Sequence, residues 1–176
     1  MPHLTLFMLL LFWSVLALCP LKNFSSIGLT ARSEGTQRPS TTGSDWHYQQ
    51  NGTLYKATLN SANQLQMPYP YAGGSTVTLT IRNRDSATTV FLSISKGLLA
   101  PSFQGGTALI RVNGGKSVVY ALSAAANGRG NILFVDDSPR LIRQLRTATT
   151  MTVQLKVIGQ KLHEVRFNTA GLNWNY

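Results

Sequence analysis

The chain has 176 residues, of which 43% are hydrophobic and 12% are charged, and its formal net charge is +10 at pH 7. The only cysteine, Cys19, excludes an intramolecular disulfide framework, so an exported domain of this sequence has to rely on packing alone. The excess of Lys and Arg attracts polyanions such as nucleic acid, anionic lipid head groups and acidic protein surfaces, without choosing among them.

An apolar segment occupies residues 4–21, and Lys22 follows it directly. Its length is that of a signal-peptide core with its flanks, at the lower limit for a helix that spans a membrane. Three fates fit its residues: cleavage after Ala17, a lipoprotein signal in which Cys19 carries the lipid, or an uncleaved signal anchor. Each fate places the remaining chain outside the cytoplasm. We therefore expect a signal peptide or signal anchor over residues 1–19, an exported periplasmic protein, and membrane contact through this segment only.

The composition changes after the leader. Residues 20–44 are rich in Ser, Thr, Gly and Arg and have no hydrophobic period, which is typical of a flexible tether. The following residues, 45–176, are numerous enough to bury a hydrophobic core of their own. We expect them to form one β-rich periplasmic domain.

Short runs of alternating apolar and polar residues predict half-buried strands within this domain. The clearest run starts at Thr76 and places three apolar residues on one face and threonines on the other (Val77, Leu79, Ile81). Similar runs predict strands at residues 90–94, 108–112 and 151–157, and a nearly continuous apolar run predicts a short strand at 131–135. Turn signals at 113–115 and 159–160 lead into further strands at 117–122 and 161–168. Asn113 and two following glycines are a strong turn signal, so the strands on either side should form a hairpin.

One helix is predicted among these strands. Ser138 is the expected N-cap and Pro139 the first helical residue, with the carboxylates of Asp136 and Asp137 near the positive end of the helix dipole. Four apolar residues then fall on one side at helical spacing (Leu141, Ile142, Leu145, Ala148). Three arginines should face the solvent (Arg140, Arg143, Arg146).

These elements predict a mainly β fold. We expect an antiparallel β-sandwich or open barrel of about eight strands, because either architecture buries one face of many alternating strands. One short α-helix lies in its C-terminal half, and an N-terminal hydrophobic export helix precedes it.

The residue types argue against an enzyme. His47 and His163 lie near opposite ends of the domain, and no G-x-S-x-G motif occurs. Asp136 and Asp137 are adjacent carboxylates, but the start of the helix already explains them. Metal-binding spacings and phosphate-binding loops are also absent from the sequence. We expect no catalytic residue, no cofactor and no metal site.

Two surface features are candidate contacts for a partner. The arginines of the helix, Arg140, Arg143 and Arg146, could pair with carboxylates or phosphates, although a solvated basic helix face is the ordinary outcome. The segment 67–71 carries Tyr69 and Tyr71 among prolines and cannot form a regular strand. It is either an exposed aromatic loop that contacts a partner or a loop packed over the end of the sheet.

Short motifs that can be compared with those of known protein families occur along the whole domain. In chain order they are Trp46, Leu59-Asn-Ser-Ala-Asn63, Pro68-Tyr-Pro-Tyr-Ala-Gly73, Leu79-Thr-Ile-Arg82, Val90-Phe-Leu-Ser-Ile94, Lys96-Gly97, Ile132-Leu-Phe134, Leu141-Ile-Arg-Gln-Leu145, Ala148, Met151-Thr-Val153, Phe167 and Gly171-Leu-Asn-Trp174. Their order resembles that of proteobacterial exported domains of unknown function, which are distantly similar to the invasion-associated locus B family. The resemblance implies an envelope location and a β fold, and it implies no reaction. Such domains often carry a cysteine pair around the Lys-Gly strand, which this chain lacks.

Three functions remain as hypotheses. The first is a non-enzymatic periplasmic or envelope-associated binding domain, an accessory module of a surface or secretion system with a protein partner in the cell envelope. The second is a periplasmic inhibitor or immunity protein against a toxin or a cell-wall hydrolase. The third is a protein that binds a polyanion, namely polysaccharide, lipid or DNA.

Overall fold

A computed structural model describes residues 45–100 and 104–176. The predicted leader (1–19), the predicted tether (20–44) and Cys19 lie outside the described residues. Within the described part of the chain, no helix combines the length and apolar character needed to cross a membrane.

The described residues form nine strands and one helix, as follows. In chain order they are β1 (His47–Asn51), β2 (Leu54–Asn60), β3 (Val77–Arg84), β4 (Ala87–Ile94), β5 (Gly106–Val112), β6 (Val118–Ala124), β7 (Ile132–Val135), α1 (Ser138–Leu145), β8 (Thr150–Lys156) and β9 (Leu162–Asn168).

All neighbouring strands are antiparallel, and they form one sheet in the order β1-β2-β3-β4-β7-β6-β5-β8-β9. A two-residue turn joins β3 to β4, where Asp85 and Ser86 both have positive φ angles of 51° and 65°. The predicted hairpin of β5 and β6 is confirmed, and Asn113 and Gly114 adopt the positive φ angles that its turn requires.

One face of the strands builds a shared hydrophobic core. In β3, Val77, Leu79 and Ile81 are fully buried, as the alternation predicted, and β4 contributes Val90 and Leu92 in the same way. The other strands except β1, together with the helix, complete the cluster with further apolar residues (among them Ile110, Leu133, Leu141, Leu145, Val153, Val165 and Phe167). Because each large apolar side chain contributes roughly 1.5–3 kcal/mol when buried, this face holds the sheet in its register.

The two ends of the sheet are connected by hydrogen bonds. The backbone N–H of Ala62, just after β2, donates to the carbonyl of Arg166 in β9 at 2.7 Å. The indole N–H of Trp46, just before β1, donates to the carbonyl of Thr169 at 3.1 Å. Chain segments at the first two strands therefore lie against the last strand.

The predicted mainly β fold with one short helix is confirmed, with nine strands in place of about eight. Two strands were not predicted, β1 and β2. The reason is clearest for β1, because its five residues are all exposed. An edge strand without a buried face has no hydrophobic alternation to reveal it. The second unpredicted strand, β2, buries only Ala57 and Leu59.

The predicted N-cap is wrong by one residue. Asp137 caps α1, and its carboxylate accepts the N–H of Arg140 at 3.2 Å. Ser138 is buried instead: its hydroxyl accepts the N–H of Val90 at 2.8 Å and donates to the carbonyl of Val135 at 2.7 Å. The helix ends at Leu145, so Ala148 is buried beyond it rather than on its apolar face.

Candidate binding groove

The C-terminal tail, residues 170–176, is attached both to β1 and to Arg146, the residue that follows α1. The N–H of Asn173 donates to the hydroxyl of Tyr48 at 2.7 Å. On the other side, the guanidinium of Arg146 donates to the carbonyl of Trp174 at 3.0 Å. The Trp174 side chain is only 2% exposed, so it anchors the tail to the core.

Three aromatic rings meet at this tail. The rings of Tyr55 and Tyr176 stack with centroids 3.8 Å apart and an interplanar angle of 22°. Trp174 meets Tyr176 edge-on at 5.3 Å. Tyr176 is nevertheless 54% exposed, so its ring is available to a partner. Partial desolvation, followed by the neighbouring Tyr55 hydroxyl, raises the pKa of the Tyr176 phenol above its ordinary value.

Three cavities share Tyr176 as a wall. The first, of about 270 Å³, also includes Tyr48, Tyr55 and four amide side chains (Gln49, Gln50, Asn173, Asn175). The second lies against the β3–β4 turn. The third, of about 330 Å³, is lined by Arg143 of α1 and by Arg146, the residue that follows the helix. We call the surface formed by Tyr48, Tyr55, Arg143, Arg146 and Tyr176 the C-terminal groove.

The C-terminal groove combines three kinds of chemistry. Tyrosine rings offer flat apolar contact area, amides offer donors and acceptors, and guanidinium groups offer a charged fork that matches a carboxylate or a phosphate. Arg143 and Arg146 form no ion pair with the carboxylates of the described residues. Their positive charges are therefore open to an anionic partner.

The three predicted arginines of the helix are exposed but do not act together. Arg143 and Arg146 reach the C-terminal groove, whereas the guanidinium of Arg140 lies 5.5 Å from the ring centroid of Tyr120. The Tyr120 hydroxyl donates to the side-chain carbonyl of Gln144 at 2.9 Å. Burial raises the pKa of Tyr120, and the positive charge of Arg140 opposes that rise.

The two predicted tyrosines of the aromatic loop lie in different environments. Tyr71 is partly buried against the core, while Tyr69 is 89% exposed. The exposed-loop interpretation therefore fits Tyr69, and the packed-loop interpretation fits Tyr71. Neither residue lines the C-terminal groove.

Sequence reasoning missed the aromatic residues of the groove. Tyr48 and Tyr55 lie on the two unpredicted strands, and Tyr176 lies near the opposite end of the domain. A signal was present in the alternation of Trp174 and Tyr176 and in the aromatic residues of segment 46–55, but nothing in the sequence joins the two segments.

The histidines and carboxylates lie apart from one another. His47 is exposed on β1, whereas His163 is buried on β9. Asp136 accepts a hydrogen bond from the hydroxyl of Ser123, and Asp137 caps α1. Within residues 45–100 and 104–176, no group of three or more His, Cys, Asp or Glu side chains is close enough to hold a metal ion.

Comparison with known proteins adds no relative. No family model matches the chain, and neither a curated protein nor a solved structure matches it significantly.

Proposed function

We propose that the chain is a non-enzymatic binding domain of the bacterial cell envelope. In this proposal it is an exported accessory module of a surface or secretion system, and it binds an acidic segment of a partner protein in the C-terminal groove. The observation that carries the proposal is the shared cavity of Arg143, Arg146 and the half-exposed Tyr176.

The composition of the groove supports a protein partner. Tyr, Trp and Arg are the residues that contribute most often to the energetic centre of protein interfaces. Tyr176 is held by Tyr55 and by the anchored Trp174, so little side-chain entropy is lost when a partner covers it. Arg143 and Arg146 then select for an acidic partner, since a guanidinium that forms no ion pair within the described chain favours a carboxylate.

The open-barrel alternative supports the same proposal. We infer that the single sheet curls into an open barrel, because segments adjoining β1 and β2 bond to β9 and its flank. Such curling brings Tyr48 and Asn173, which are 125 residues apart, into hydrogen-bond contact at one end of the sheet.

The periplasmic location and the similarity to the exported proteobacterial domains remain predictions. The intact mass of the exported protein tests the leader, because cleavage after Ala17, lipidation at Cys19 and retention give three different masses. Recovery of the full-length product from the cytosol would contradict the proposed location.

The groove itself is tested by capture in cells of the source organism. Affinity-tagged full-length chain is cross-linked in the intact envelope, and the retained proteins are quantified for wild type, Arg143→Glu and Tyr176→Ala. We expect at least one envelope protein to be retained by wild type and lost from both variants. Arg129→Glu is the matched control, since Arg129 is exposed and does not line the groove. The same proteins on wild type and Arg143→Glu would count against a partner in this groove.

The charge distribution favours polyanion binding as a second candidate function. Residues 45–176 contain thirteen Lys and Arg but five Asp and Glu. In the described chain, ion pairs involve only two of those carboxylates, Asp85 and Glu164. Most of the cations in the described residues therefore form no ion pair, and a polymer with regular negative charges could neutralise several of them together.

A further inference from the structure

Two aromatic and two basic side chains lie on the outer face of the sheet. Lys56 of β2 is directly opposite Arg82 of β3, and Phe91 of β4 is directly opposite Phe134 of β7. Their chain neighbours, such as Ala57, Ile81 and Val90, are fully buried. Since successive side chains of a strand point to opposite faces, these four point away from the core. We call Lys56, Arg82, Phe91 and Phe134 the outer patch.

The two phenylalanines form a pair outside the core. Their ring centroids are 5.2 Å apart with an interplanar angle of 47°, and both side chains are half-buried. Aromatic side chains on the outer face of a sheet offer flat apolar surfaces to a ligand, and planar rings of nucleic acid bases stack on such surfaces.

The basic residues of the outer patch lack an anion. Like charges directly opposite each other on neighbouring strands destabilise a sheet, and Lys56 and Arg82 occupy such positions. No carboxylate of the described residues forms an ion pair with either of them. The Nε atom of Arg82 is buried and has no hydrogen-bond acceptor among those residues. A bound anion between the two side chains would remove the repulsion.

The aromatic and basic parts of the patch are in contact. The guanidinium of Arg82 lies over the ring of Phe91, with its carbon 5.5 Å from the ring centroid. Lys56, Arg82, Phe91 and Phe134 therefore form a continuous strip that begins with cations and ends with an aromatic ring. Phe134 lies two strands beyond Arg82, so a ligand that fits this strip needs a negative charge and a flat ring roughly 10 Å apart. Adjacent nucleotides of a single strand offer phosphates and bases at such spacings.

We propose that the outer patch binds single-stranded nucleic acid, with a phosphate between Lys56 and Arg82 and a base stacked against Phe134. The inference deepens the second candidate function by naming its ligand class. Lys56 also lines the first cavity of the C-terminal groove, whereas Arg82 and Phe134 line none of its cavities. Substitutions at Phe134 therefore test the outer patch without altering the protein-binding groove.

Fluorescence anisotropy with a labelled single-stranded oligothymidine tests the proposal on the full-length chain in a non-ionic detergent. We expect Phe134→Leu to weaken binding roughly tenfold or more, because leucine keeps the apolar volume but has no flat ring for a base. Phe134→Tyr keeps the ring and should bind like wild type. The thermal unfolding midpoint of each variant shows whether it is folded.

The salt dependence of the affinity for the oligonucleotide distinguishes a phosphate contact at Lys56 and Arg82 from nonspecific attraction by the net positive charge of the chain. We expect the double substitution Lys56→Gln and Arg82→Gln to lower the magnitude of the slope of log affinity against log salt concentration by about 0.7, the value for the one single-strand phosphate that the two side chains share. Lys161→Gln, in the exposed turn before β9, is the matched control and should leave the slope near that of wild type.

A base-free polyanion completes the test. Dextran sulfate should compete with the oligonucleotide, but its own affinity should not change with Phe134→Leu. The proposal is overturned if Phe134→Leu binds the oligonucleotide as tightly as wild type. It is also overturned if Lys161→Gln changes the slope as much as substitution of Lys56 and Arg82, since binding would then reflect net charge alone.

Discussion

The side-chain oxygen of Asn63 accepts the backbone N–H of Arg166 at 2.8 Å, across 103 residues of sequence. The amide nitrogen of the same side chain donates to the carbonyl of Glu164 at 2.9 Å. Asn63 thus makes the two bonds that a residue of a neighbouring strand would make with β9. One side chain protects part of an edge whose open backbone groups would otherwise invite another strand.

Replacement of Asn63 by alanine should therefore destabilise the fold. We expect Asn63→Ala to lower the free energy of unfolding by about 1–3 kcal/mol, because two backbone groups of β9 lose their partners. Urea unfolding of the purified chain measures the change. Asn51→Ala is the control, since the Asn51 side chain is exposed and makes no described hydrogen bond, and it should change stability by less than about 0.5 kcal/mol. Equal effects of the two substitutions would show that Asn63 does not join the ends of the sheet.

The start of α1 provides a second prediction, a ranking of two neighbouring residues. Asp137→Ala removes an exposed cap and should cost about 1 kcal/mol of stability. Ser138→Ala should lower the free energy of unfolding by more than Asp137→Ala does. The buried N–H of Val90 loses its acceptor in this variant, and a buried group without a partner costs about 1–3 kcal/mol. Thermal unfolding of both variants gives the order. Asp137→Asn keeps a capping oxygen and should stay close to wild type, while a larger loss for Asp137→Ala than for Ser138→Ala would contradict the observed roles.

Two adjacent glycines give a third prediction. A methyl group on Gly105 would overlap the carbonyl oxygen of Leu122, whereas one on Gly106 would meet nothing within 4 Å. We expect Gly105→Ala to destabilise the protein by roughly 1–3 kcal/mol or more, because backbone atoms cannot move aside cheaply. Gly106→Ala should be nearly neutral. Chemical denaturation of Gly105→Ala and Gly106→Ala tests how closely the start of β5 approaches β6. Equal free energies of unfolding for the two variants would contradict the close approach at Gly105.

Strands with a buried face could be predicted from the sequence, and strands without one could not. In β3 the alternation of Val77, Leu79 and Ile81 reflects their contact with the core, so the pattern and the packing have the same cause. In β1 no residue is buried, and its backbone pairs with that of β2. Backbone pairing places no constraint on which side chains a strand carries, so it produces no pattern in the sequence.

The groove could be predicted only in part for a similar reason. Arg143 and Arg146 were candidates because helical spacing places them on the solvent side of α1. Their neighbour Tyr176 could not be assigned, because its position depends on contacts of the tail with Tyr48 and Arg146 over long distances in sequence. The N-cap of α1 could not be assigned from the local sequence either, because Asp137 and Ser138 are both good capping residues. The hydrogen bond from the Val90 N–H, which is distant in sequence, decides that Ser138 is the buried one.

Tyr120 gives the last prediction, which concerns alkaline pH. Burial raises its pKa above the ordinary value of 10.0, with Arg140 opposing the shift, so the folded state favours the neutral phenol. Below about pH 10 this contribution to stability is fully present, and it is lost as the pH rises, because the unfolded chain gives up the proton first. Tyr120→Phe removes the titrating group, together with the hydrogen bond to Gln144.

We therefore expect Tyr120→Phe to be less stable than wild type by about 1 kcal/mol near neutral pH, and the difference to narrow as the pH rises beyond about 10. Urea midpoints measured from about pH 8 to about pH 11 for both proteins give the comparison. Tyr69→Phe is the control, because Tyr69 is 89% exposed, and its midpoints should follow those of wild type throughout. A difference between Tyr120→Phe and wild type that stays constant over this range would mean that the Tyr120 phenol ionises as easily in the folded chain as in the unfolded one.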